Sequence, residues 1–149
     1  RCSGPRGVAG GQALEMTLGD HAALDRLEQV HRAKTGALFE ASILVPADFA
    51  GISPESQEGK AIDHFARALG FGFQVADDLE DLRQDTRVGA AAPPSNIRFF
   101  KSAHQAGLEA AQLLRNSCEG VAVFYGAESG PLLSIAHEVI QKLHSEAGA

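Results

Sequence analysis

Residues 61–81 read AIDHFARALGFGFQVADDLED, and the period of this stretch decides the fold. Ile62, Phe65, Ala66, Leu69, Phe73, Val75 and Leu79 recur mostly three and four residues apart, the spacing of an amphipathic helix rather than the alternation of a strand. Just upstream, Ser53-Pro54-Glu55 has the form of a helix start, with Ser53 as N-cap and Pro54 at the first helical position. The pattern predicts a helix from there to about Asp85, bent or divided at Gly70 and Gly72.

The same period runs outward in both directions. A short Gly/Ala-rich helix is predicted from about Val8 to Leu18, where Gly10 and Gly11 would let another helix approach closely. A second is predicted from about Leu24 to Leu44, with Asp25 and Glu28 in its acidic first turn and Pro46 ending it. Its core-facing stripe would be Leu24, Leu27, Val30, Leu38 and Ile43. Residues 89–96, GAAAPPSN, form a loop by Pro/Gly content. Two further helices are predicted over about Lys101–Ser117 and Pro131–Glu146, with Glu119–Gly130 ambiguous between them. The expectation is one all-α domain over residues 1–149, and no internal repeat breaks it.

Composition excludes several function classes. The formal net charge of -6, with Lys34, Lys60, Lys101 and Lys142 scattered, argues against a nucleic-acid backbone as partner. Glu40, Pro46 and Asp48 interrupt the best apolar run, so no transmembrane segment is expected. Cys2 and Cys118 lack zinc or disulfide spacing, which makes a reducing cytoplasm the expected location. The first residues, Arg1 to Gly7, hold no apolar core of a signal peptide.

Three constellations could carry chemistry. On a helix Asp77, Asp78 and Asp81 share one quadrant, with Gln74 a turn before them. Such oxygens suit magnesium, which keeps waters and bridges one or two carboxylates to phosphates; taken alone, an acidic face turned to water explains them as well. His31, Lys34 and Thr35 also share a helix face, and an ammonium beside a hydroxyl would suit a diphosphate; singly, they also read as a surface lysine, an ordinary threonine and a histidine satisfied by Glu28 one turn earlier. The third, Gly10-Gly11-Gln12 with Glu15, lacks the Lys-Ser/Thr ending of a phosphate-binding loop. His137-Glu138 has its next histidine at His144, seven residues on, so a zinc-protease helix fails on spacing.

Together and in this order the three resemble the C-terminal half of the trans-polyprenyl diphosphate synthases, whose signatures are GGQxxD, HxxKTGxLF and FQxxDDxxD. Here they stand as Gly10-Gly11-Gln12 with Glu15, His31 to Phe39, and Phe73 to Asp81. The resemblance covers roughly residues 4–85 well and the remainder loosely. It implies an isoprenoid-synthase-type helical bundle, of which only the C-terminal half is present, and a magnesium-assisted prenyltransferase. In that family an allylic diphosphate ionises and isopentenyl diphosphate attacks the carbocation. By position-matching, Asp77, Asp78 and Asp81 would bind Mg2+ and Lys34 would contact the allylic diphosphate. Thr35 and Gln74 would line the cation region, Phe73 would shape the wall, and Gln12 and His31 would join the substrate site.

The resemblance also implies departures. The family's first aspartate-rich motif belongs upstream of the Gly-Gly-Gln segment, so the chain is expected to be a fragment, inactive alone, or to receive its other half from a second polypeptide. Glu15 stands where the family usually has Asp, and the lysines that normally follow the second motif are missing; Arg87 and Arg98 could substitute, though neither sits in a motif that matches the family. A homodimer, or association with the missing N-terminal half, is expected. Two alternatives are a non-catalytic accessory subunit of a heteromeric synthase and a helical interaction module that has kept the motifs without ligand.

Overall fold

Apolar residues at helical spacing can leave water only by turning their stripes toward one another. In the computed structural model, which describes residues 3–5, 7–17, 29–30, 32–88 and 102–147 apart from the side chains of 85–88, they do so around one long helix. The elements are α1 (Val8–Met16), a π-helical turn (Arg32–Gly36), α2 (Ala37–Phe49), α3 (Gln57–Val88), α4 (Ala103–Tyr125), a 3-10 turn (Gly126–Ser129) and α5 (Gly130–Ala147). No strand occurs among the described residues, as the periodicity predicts.

Helix α3 is 32 residues long, about 48 Å at 1.5 Å per residue. Helices α4 and α5 pack against each other and against one flank of it, α2 and the π turn against another, and α1 rests on the π turn. Phe65, Leu69, Val75 and Leu79 of α3 meet Leu114 and Val121 of α4 and Val139, Ile140 and Leu143 of α5 in one apolar cluster. Alanines at 106, 110 and 111 let α4 come close. Gly72 lies against Val139, Leu114 and Leu143, and Gly70 against Gly36 and Phe39. The two glycines therefore do not divide α3, which runs through both; they let neighbouring elements approach it.

Several expected boundaries move. Ser56, not Ser53, caps α3: its Oγ accepts the Gly59 N–H at 2.9 Å and donates to the Ser53 carbonyl at 2.7 Å. Ser53 and Pro54 instead build the turn before it. Helix α2 passes through Pro46 and ends at Phe49. The proline forfeits one bond to the Ser42 carbonyl on an exposed face, where water can take its place. The true stop is Gly51, at φ +79°, a left-handed position that favours glycine. Its N–H bonds Asp48 O at 2.9 Å and the Ile52 N–H bonds Ala47 O at 3.0 Å, the paired closure of a Schellman turn. Downstream, α4 continues through the ambiguous segment to Tyr125 because Val121 is fully buried against the core. Burial outweighs the weak helix propensity of a β-branched residue.

Leu38, expected on the core stripe, is 52% exposed. The π turn places one extra residue in the helical turn ahead of it, so the residues beyond rotate relative to Val30. The inward position passes to Phe39, which packs on the core together with Ile43. Leu24 and Leu27, like the loop over 89–96 and Arg98, lie outside the described residues.

Candidate functional site

The π turn is the centre of the site, because Lys34 and Thr35 both lie on it and face different neighbours. Such widened turns recur at functional positions, where the extra residue re-aims adjacent side chains. Lys34 Nζ donates to Glu15 Oε2 of α1 at 2.8 Å. Gln12 Nε2 donates to that same oxygen at 3.0 Å. What makes this reach possible is Gly11, since a Cβ there would sit 2.4 Å from the backbone nitrogen of Lys34.

Thr35 points the other way. Its Oγ1 donates to Gln74 Oε1 of α3 at 2.5 Å, and Gln74 Nε2 in turn donates to Asp78 Oδ1 at 2.8 Å. Gln74 and Asp78 are each 8% exposed, so this chain settles polar groups whose burial unpaired would cost about 1–3 kcal/mol each. It also fixes which way the Gln74 amide faces, with its oxygen toward Thr35 and its nitrogen toward Asp78.

The three aspartates differ in setting: Asp78 is buried, Asp77 half-buried and Asp81 exposed. Among the described residues no three or more His, Cys, Asp or Glu side chains converge as a ready metal cage. Phe73, 39% exposed, lies with its ring centroid 5.2 Å from that of Phe39. Lys142 of α5 stands 5.9 Å from the Phe73 ring centroid and 2.6 Å from Glu80. The Lys142 hydrogen bond and charge hold the Glu80 carboxyl below its ordinary range. Arg83 pairs with Glu146 at 3.3 Å, so two ion pairs join α5 to the acidic end of α3. The Lys142–Glu80 pair is partly exposed and screened by solvent, so it contributes little energy, while Glu146 of the second pair is mostly buried.

Of the residues singled out from sequence, the fold gathers Gln12, Lys34, Thr35, Gln74, Asp78 and Phe73 around the π turn and the middle of α3. His31 lies outside the described residues. Two participants, Phe39 and Lys142, were given no role from sequence, and Glu15 was named with Gly10-Gly11-Gln12 but given no partner. Glu15 carried a local signal, four residues after Gly11 on one helix face. Phe39 carried a weaker one, inside the His31–Phe39 motif. Lys142 carried none, because only the packing of α5 on α3 brings it there.

Residues 6–90 match the polyprenyl synthetase family. The chain is 38% identical over 113 residues to the farnesyl diphosphate synthase of Escherichia coli K12, an alignment that takes in 74% of this chain and 38% of that protein. It is 29% identical over 144 residues to geranylgeranyl pyrophosphate synthase 11 of Arabidopsis thaliana, across 89% of this chain and 40% of that one. A crystal structure assigned as a farnesyl-diphosphate synthase of Marinomonas sp. MED121 superposes with a TM-score of 0.64 at 30% identity, covering 93% of this chain and 48% of its own. The fold is accordingly of the isoprenoid-synthase helical type, and the chain spans under half the length of these relatives. With its Gly-Gly-Gln, Lys-Thr-Gly and aspartate segments meeting at one π turn, the chain belongs to the polyprenyl synthetase family.

Proposed function

We propose that this chain furnishes the Lys34–Thr35 and Asp77–Asp81 side of a prenyltransferase site that joins isopentenyl diphosphate to an allylic diphosphate. The observation that carries the reading is the π turn bonded on one flank to Glu15 and on the other to Gln74 and through it Asp78, which ties all three motifs into one polar network. In this reading Lys34 supplies a point charge to the allylic diphosphate. The Thr35–Gln74 pair presents oriented dipoles to the carbocation left behind, and the rings of Phe73 and Phe39 shield that cation from water while offering it their π faces. Asp77, Asp78 and Asp81 present hard oxygens that suit Mg2+, an ion that keeps waters and shares ligands with phosphates. Bound there, magnesium would stabilise the charge of the departing diphosphate. Gln12, and His31 with it, complete the proposed substrate site. A cytoplasmic location belongs to the same proposal; among the described residues no helix is long and apolar enough to cross a membrane.

The test is a thermal melt of the chain with magnesium and inorganic pyrophosphate. Binding at about 100-fold above Kd adds about 2.7 kcal/mol, which for a chain of this size raises Tm by about 5–10 °C. No shift would remove diphosphate from the reading. The product of the complete reading frame, given both diphosphates and magnesium, is expected to lengthen the allylic chain by five carbons, and absence of product would remove the reaction.

A specific observation favours association as well. Helix α2 is strongly apolar yet contains no buried residue, and Leu38, Val45 and Phe49 form an exposed stripe at positions i, i+7 and i+11. Such a stripe suits a second apolar helix, whether from another copy or from an accessory-type partner. Sedimentation is expected to show concentration-dependent self-association that Val45→Glu weakens; a strictly monomeric chain would count against it.

A further inference from the structure

A lysine ammonium steers a diphosphate best when its long side chain is held, and among the described residues Lys34 is held by a carboxylate on a different helix, Glu15. Gly11 and Glu15 are four residues apart and therefore share one face of α1. The Gly11 contact presses that face onto the backbone of Lys34, and one turn further along Glu15 meets the Lys34 ammonium. Gln12 grips the same carboxylate oxygen, which fixes the Glu15 rotamer from a second direction.

We propose that Glu15 is the positioning residue for Lys34: with Gln12 it forms a clamp that aims the ammonium, so that diphosphate meets a charge already in place. The inference rests on the diphosphate role given to Lys34 above and adds to it the residue that makes that role effective. Two effects oppose each other. A carboxylate beside the ammonium subtracts from the positive charge that an anion feels, but the two side chains are 35% and 22% exposed, so solvent and salt screen much of this. Immobilising a flexible side chain before binding is worth about two- to tenfold in affinity. Orientation wins, and the clamp tightens binding on balance.

Calorimetric titration with magnesium and inorganic pyrophosphate separates the possibilities. Glu15→Gln, which leaves the shape and removes the charge, is expected to bind about fivefold more weakly. Glu15→Asp keeps the charge and is expected to stay within about twofold of the parent. Glu15→Gln binding as tightly as the parent, or more tightly, overturns the clamp. A double-mutant cycle between Glu15→Gln and Lys34→Met, read by urea unfolding, gives a readout independent of ligand. Strong coupling supports the clamp and additive effects overturn it. If the parent chain takes up no pyrophosphate, the diphosphate reading itself fails, while the cycle still decides whether Glu15 holds Lys34.

Discussion

Gly11→Ala is expected to destabilise the chain by about 2 kcal/mol and to weaken magnesium–pyrophosphate binding more than tenfold. Alanine is the better helix former by about 1 kcal/mol, so on propensity alone the exchange would stabilise α1. The tertiary contact reverses the sign. A Cβ at this position would lie 2.4 Å from Lys34 N and 2.8 Å from both Ala33 C and Lys34 Cα. These are backbone atoms of a π turn and cannot rotate aside as a side-chain tip can. Either α1 lifts off or the turn distorts, and in both cases Glu15 loses its 2.8 Å contact with Lys34. Gly130→Ala serves as control, because a Cβ there meets nothing within 4 Å; it is expected to change stability by no more than about 0.5 kcal/mol. Melts of both variants with and without ligand check the prediction. An unchanged Gly11→Ala protein would mean that α1 does not lean on the π turn.

Phe65→Ala should cost the fold about 3–5 kcal/mol. Phe65 is fully buried and belongs to the cluster that joins α3 to α4 and α5. Truncation there removes a large apolar side chain and leaves a cavity that three helices cannot close without disturbing their other contacts. Against a total stability of about 5–15 kcal/mol for a natural domain, the loss could leave a substantial unfolded fraction at ambient temperature. Urea unfolding of Phe65→Ala and Phe65→Leu beside the parent measures it, with leucine expected to cost no more than about 1.5 kcal/mol. An unfolding free energy for the alanine variant within about 1 kcal/mol of the parent would remove this cluster from the centre of the fold. Because Phe65 is two turns from Phe73, the leucine variant should keep its ligand response, which separates damage to the core from damage to the site.

The residues at which expectation and structure part company show what kind of information was local. The run from Ile62 to Leu79 announced its helix because burial on one face imposes a period that survives in any context. Asp78 and Gln74 were legible as neighbours for the same reason, four residues being one helical turn. The N-cap moved from Ser53 to Ser56 because two serine hydroxyls lie within reach of one helix start, and the choice between them depends on how the incoming turn is closed. Pro46 did not stop α2 because its lost bond falls on a wet face, and exposure is a property of the packed molecule. Leu38 and Phe39 exchanged roles through a π turn, a hydrogen-bond register that apolar periodicity does not encode.

By itself, then, the sequence determined an all-α chain, the polar residues that would share a helix face, and the order of its three motifs. These follow from interactions spanning one or two turns, whose geometry is the same wherever the residues occur. Only the tertiary structure decided that Lys34 answers to Glu15 nineteen residues away, that Thr35 answers to Gln74 thirty-nine residues away, and that Lys142 comes to rest over Phe73. Those pairings depend on how closely two backbones can approach. Here that distance is set by a hydrogen atom at Gly11 where any other residue would place a carbon.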